Sequence, residues 1–106
     1  MDPASSDPVV RQIREQISDN DRAIVEALNK RLKLVARLWD YKTSRGYEVL
    51  NPEREDWMLQ YLQRANRGPL SADGLAELYA TVLELTKREV SARDAGTAET
   101  ETEAAG

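Results

Sequence analysis

Residues 8–45 read PVVRQIREQISDNDRAIVEALNKRLKLVARLWDYKTSR, and this stretch decides the fold. Apolar side chains recur at Val10, Ile13, Ile17, Ile24, Leu28, Leu32, Val35, Leu38 and Trp39. Those spacings are helical, not strand-like. Asp7 stands as an N-cap with Pro8 at the first helical position. No glycine or further proline intervenes until Gly46, the natural C-terminal stop. One helix is therefore predicted from about Pro8 to Arg45, more than ~50 Å long at about 1.5 Å per residue. A small domain cannot cover so long an apolar helix by itself, so a partner chain is expected.

Outward from this helix, Asn51-Pro52-Glu53-Arg54-Glu55 repeats the start signal of cap, proline and first-turn acid. The second helix carries Trp57, Met58, Leu59, Tyr61, Leu62 and Ala65, and Gly68-Pro69 ends it. Ser71 then caps a third helix whose apolar residues are Leu75, Leu78, Tyr79, Val82, Leu83 and Leu85, with Gly74 as a weak point in its first turn. From about Ala95 the chain is acidic and small-residued, and it reads as a disordered, solubilising tail. The division is a flexible segment over 1–7, a helical domain over 8–93 and a tail over 94–106. The expected fold class is all-α, with three helices per chain and a long first helix that calls for a partner chain.

The 106 residues suit one domain. Its foldable part, roughly 85 residues by periodicity, buries only a thin core alone. Cysteine and histidine are both absent. That removes disulfides, thiolate catalysis, Ser-His-Asp relays, imidazole bases and Cys/His metal sites. Catalysis must run on Arg, Lys, Asp, Glu, hydroxyls and amides, and no metal or cofactor is expected. The formal charge of −4, without a dense basic run, disfavours nucleic acid. The acidic opening MDPASSD is not a signal peptide, and no apolar stretch suits a membrane span. The expected compartment is the cytoplasm.

The informative charges interrupt the apolar stripes. Ile24, Arg31 and Leu38 form one row of residues seven apart, and Leu28, Val35 and Lys42 the adjacent row. Arg31 and Lys42 differ by only ~20° around the axis, so both project from the apolar side. Snorkelling into water explains Lys42 near the helix end more readily than Arg31 between Leu28, Leu32 and Val35. A buried guanidinium needs a protein carboxylate or an anionic ligand. Arg14 lies ~25 Å along the axis from Arg31, so the two meet only if two long helices pair antiparallel. Arg54 and Glu55 sit in the first turn of helix two, where statistics alone make them surface charges. Thr86 sits in the apolar register of helix three, where a threonine usually bonds back to a carbonyl. Together these groups suit the binding of a dianionic small molecule and the stabilisation of a polarised transition state.

Arg14-Glu15-Gln16-Ile17-Ser18-Asp19-Asn20-Asp21, Asn29-Lys30-Arg31, Lys42, Gly46, Pro52-Glu53-Arg54-Glu55 and Gly68-Pro69-Leu70-Ser71 occur in that order. This ordered set, within about Val10 to Val90, resembles the all-helical chorismate mutase family. The resemblance implies a domain-swapped dimer with two active sites, each built from both chains. Arg14 would reach into the partner's site, while Arg31, Lys42 and Arg54 stay in their own. The three arginines would bind carboxylates, and Lys42 would reach the ether oxygen of the breaking bond. Glu55 would accept from the ring hydroxyl, with Asn51 beside it. Thr86 falls where the family often has a serine touching a carboxylate. The implied reaction turns chorismate into prephenate, a step of phenylalanine and tyrosine biosynthesis in the shikimate pathway. It needs no nucleophile, metal or cofactor.

Two positions depart from the family pattern. Val90 falls where relatives carry a Gln or Glu that donates to the ether oxygen, and valine cannot donate. Glu89 replaces it only if helix three shifts by one residue and the acid is protonated. Lys87 falls at a position commonly apolar. A related enzyme on the same scaffold, an isochorismate pyruvate-lyase or an aminodeoxychorismate mutase, stays open. So does a non-catalytic helical dimer or regulatory module serving a larger partner enzyme.

Overall fold

A computed structural model describes the backbone of residues 2–105 and the side chains of residues 2–93. The tail expected over 94–106 lies outside the residues whose side chains are described. The described backbone is helical throughout its regular elements: a 3-10 turn (Pro3–Ser6), α1 (Pro8–Ser44), α2 (Pro52–Ala65) and α3 (Ala72–Ala105). The all-α class and the three helices match the sequence reading. The chain divides into two compact units, Met1–Leu34 and Val35–Gly106.

In the first unit, Asp2 caps the 3-10 turn by accepting from the Ala4 amide at 3.1 Å. This turn had no apolar periodicity to announce it. Asp7 then caps α1 as expected, its carboxylate accepting from the Val9 amide at 2.9 Å. Ile13, Ile17 and Ile24 fall within about 40° of one another around α1, and they are 50%, 54% and 50% exposed. Arg31 lies on the same stripe by its helical spacing.

The second unit holds the core. Leu75, Val82, Thr86 and Val90 repeat at spacings of seven and four on α3, which turns one face inward. Ala36 of α1 is buried as well. The α2 helix packs on α3. Between them, Gln63 Nε2 donates to the Ala72 carbonyl and Asn66 Nδ2 to the Leu70 carbonyl, both at 2.8 Å. Arg93 of α3 grips both carboxylate oxygens of Asp40 on α1, with the shorter contact at 2.9 Å.

The end of α1 is a Schellman closure. The Tyr47 amide donates to the Lys42 carbonyl at 2.8 Å and the Gly46 amide to the Thr43 carbonyl at 3.2 Å. Gly46 takes φ +71° there, a left-handed conformation that favours glycine. Gly74 has a different reason. A Cβ on it would come within 3.0 Å of the Ser71 cap hydroxyl and 3.1 Å of Leu70 Cδ1. The weak point read in helix three is thus the room its own N-cap needs.

The aromatic residues of α2 lie apart from its packed face. Trp57 and Tyr61 are 44% and 49% exposed. Their rings stack on each other at 5.4 Å between centroids and 7° between planes. Met58, Leu59 and Leu62 are half-buried instead.

Candidate active site

Arg14 and Arg31 belong to the first unit. Arg14 lies on an open groove with Arg11, Glu15, Ser18 and Asp19, and its guanidinium is 3.9 Å from the Asp2 carboxylate. An ion pair this exposed contributes little to stability and exchanges readily for another anion. Arg31 is half-buried, as its place among Leu28, Leu32 and Val35 requires.

Every other expected site residue belongs to the second unit. Lys42, in the last turn of α1, is half-buried. Its position also complements the negative end of the helix. Asn51 is the N-cap of α2, its side-chain oxygen accepting from the Arg54 amide at 3.1 Å. That cap sets the first turn and therefore the directions of Arg54 and Glu55. The Arg54 guanidinium carbon stands 4.1 Å from the centroid of the Trp57 ring. A guanidinium over a ring face keeps the N–H groups on its edge to grip a carboxylate.

Glu55 is half-buried, and its Oε1 lies 2.9 Å from Nζ of Lys87 on α3. The structure therefore brings together across α2 and α3 two residues that the sequence reading kept apart. The signal existed as a lysine at a position commonly apolar in the family pattern, but its partner could not be read from spacing.

Thr86 is 6% exposed, and its hydroxyl donates to the Val82 carbonyl at 2.7 Å. That is the bond-back geometry expected of a packed threonine. Its single proton is committed there, so contact with a carboxylate requires the hydroxyl to rotate. Val90 is 2% exposed on the same packed face, while Glu89 is exposed. In this register the valine points inward, and a shift that would bring Glu89 to its place is not seen. Among the described residues, no cluster of three or more Asp or Glu could hold a metal ion, and no helix is long and apolar enough to cross a membrane.

The second unit thus presents a half-buried lysine, a ring-backed arginine and a paired glutamate, all set by helix ends and caps. This defines a small all-helical protein whose charged side chains are held at helix ends. The chain matches the chorismate mutase type II family over residues 13–90, and it belongs to that family. It is 25% identical over 79 residues to a bifunctional chorismate mutase/prephenate dehydratase of Stutzerimonas stutzeri, covering 70% of this chain and 22% of that protein. It is 43% identical over 47 residues to the T-protein of Enterobacter agglomerans, covering 44% of this chain and 13% of the relative. The chain therefore spans less than a quarter of the length of these curated relatives. No solved structure matches it.

Proposed function

We propose that this chain is a chorismate mutase, rearranging chorismate to prephenate as a cytoplasmic homodimer in phenylalanine and tyrosine biosynthesis. The observation that carries the reading is the family match over residues 13–90, a span that includes every proposed site residue. The half-burial of Lys42 in the last turn of α1 supports it, because a cation partly withdrawn from water gains from an anionic ligand.

The reaction is an internal exchange of bonds. The ether C–O bond breaks, a C–C bond forms, and neither protons nor electrons leave the substrate. The protein's work is to hold the compact reactive conformer and to set positive charge beside the ether oxygen as it gains negative charge. Arg14 of the partner subunit, with Arg31 and Arg54, binds the two carboxylates. Lys42 donates to the ether oxygen, assisted by Arg31. Glu55 accepts from the ring hydroxyl, Asn51 fixes the turn that aims it, and Thr86 borders a carboxylate. Val90 forms an apolar wall.

That wall also favours a second reading. On this second reading, the lack of a second donor opposite Lys42 suits a relative of chorismate, and the enzyme would be an isochorismate pyruvate-lyase or aminodeoxychorismate mutase. Purified protein incubated separately with chorismate, isochorismate and aminodeoxychorismate, with product absorbance followed, separates the two. Turnover of chorismate alone supports the first reading, preference for a relative supports the second, and inertness toward all three defeats both. Sites shared between chains are tested by mixing Arg14→Ala and Arg31→Ala proteins. Activity returns in the mixture if each site draws on two chains.

A further inference from the structure

Lys87 is unexpected on α3, where the neighbouring Thr86 and Val90 are packed inward. Its ammonium pairs with Glu55 at 2.9 Å, the two side chains being 45% and 30% exposed. An exposed surface pair would be worth little in stability. This one engages the single carboxylate among the proposed substrate-binding groups.

We propose that Lys87 is a positioning residue that acts through Glu55. The inference rests on the chorismate mutase reading given above. A bare carboxylate in a site built for a doubly negative substrate repels the ligand it must hydrogen-bond. The ammonium of Lys87 cancels that charge from the α3 side. An ionised carboxylate has two oxygens and about four acceptor positions. Pairing through Oε1 therefore leaves acceptor capacity for the ring hydroxyl while fixing the rotation of the group. Lys87 donates nothing to the reacting bond. Its contribution is to make Glu55 a tolerable and well-aimed acceptor.

The test is a double-mutant cycle on steady-state turnover of chorismate, with Lys87→Met, Glu55→Gln and the double variant measured beside the wild type. Glu55→Gln already removes the negative charge, so adding Lys87→Met to it changes nothing further. In the wild-type background Lys87→Met lowers kcat/KM about tenfold, chiefly through KM, because repulsion acts on the bound ground state as well. Lys87→Arg restores most of that loss. Melting curves of all four proteins stay close together, and Lys87→Gln replaces the methionine variant should the latter not fold. An unchanged kcat/KM in Lys87→Met overturns the inference, and so does a double variant whose loss is the product of the two single losses. Those outcomes leave the functional reading standing. A wild-type protein that neither turns over chorismate nor binds a transition-state analogue brings down that reading, and this inference with it.

Discussion

On the proposed homodimer, replacing Ile17 by aspartate should convert dimer to monomer. Ile13, Ile17 and Ile24 lie on one stripe of α1, each about half exposed in the single chain. Full burial of an isoleucine is worth about 1.5–3 kcal/mol, so covering the remaining half of each yields about 1 kcal/mol. Six such side chains in a symmetric pair supply about 6 kcal/mol, roughly four orders of magnitude in Kd. Ile17→Asp removes about 2 kcal/mol of this across the pair and adds two carboxylates that must be desolvated without partners, at several kcal/mol each. Ile17→Ala removes only the apolar share and should weaken association by about one to two orders of magnitude. Sedimentation equilibrium between 1 and 100 µM, spanning a typical working range, gives the mass of each protein, with circular dichroism to check that helices persist. The reasoning is refuted if the wild type is a monomer across that range, or if Ile17→Asp dimerises as tightly as the wild type.

Lys42→Ala should lower kcat/KM by about 10²–10³, the usual cost of one donor at a developing negative charge, while the melting temperature moves by only a few degrees; stopped-flow or absorbance assays of prephenate formation measure it. Val90→Ala deletes about two methyl groups from a position only 2% exposed, and the transfer and cavity losses together should destabilise the fold by about 2–3 kcal/mol in urea unfolding. Asp40→Asn weakens the two-point grip of Arg93; because Asp40 is largely exposed, the loss should stay below about 1 kcal/mol and vanish at high salt. A larger, salt-independent loss would mean the pair anchors α1 to α3 more firmly than its exposure allows.

Much of the local structure was legible because its causes are local. Asp7-Pro8, Asn51-Pro52 and Ser71 start helices through side chains acting on amides two or three residues away. Gly46 ends α1 through its own backbone freedom. Arg31 and Lys42 stood out as candidates for a similar reason, since a cation on an apolar helical row conflicts with its neighbours, whereas the other candidates came from the family resemblance. Arg31 and Lys42 are both half-buried.

What sequence could not decide was which apolar residues the chain covers and which charges meet. Trp57 and Val90 are both apolar residues in helical register, yet one lies open and stacked on Tyr61 while the other is sealed. The difference is set by which side of α2 and α3 faces the other helix, a matter of packing rather than of period. Glu55 and Lys87, like Asp40 and Arg93, sit on different helices. Helical periodicity reports where a side chain points around its own axis, and only the packing of one axis on another determines what it points at.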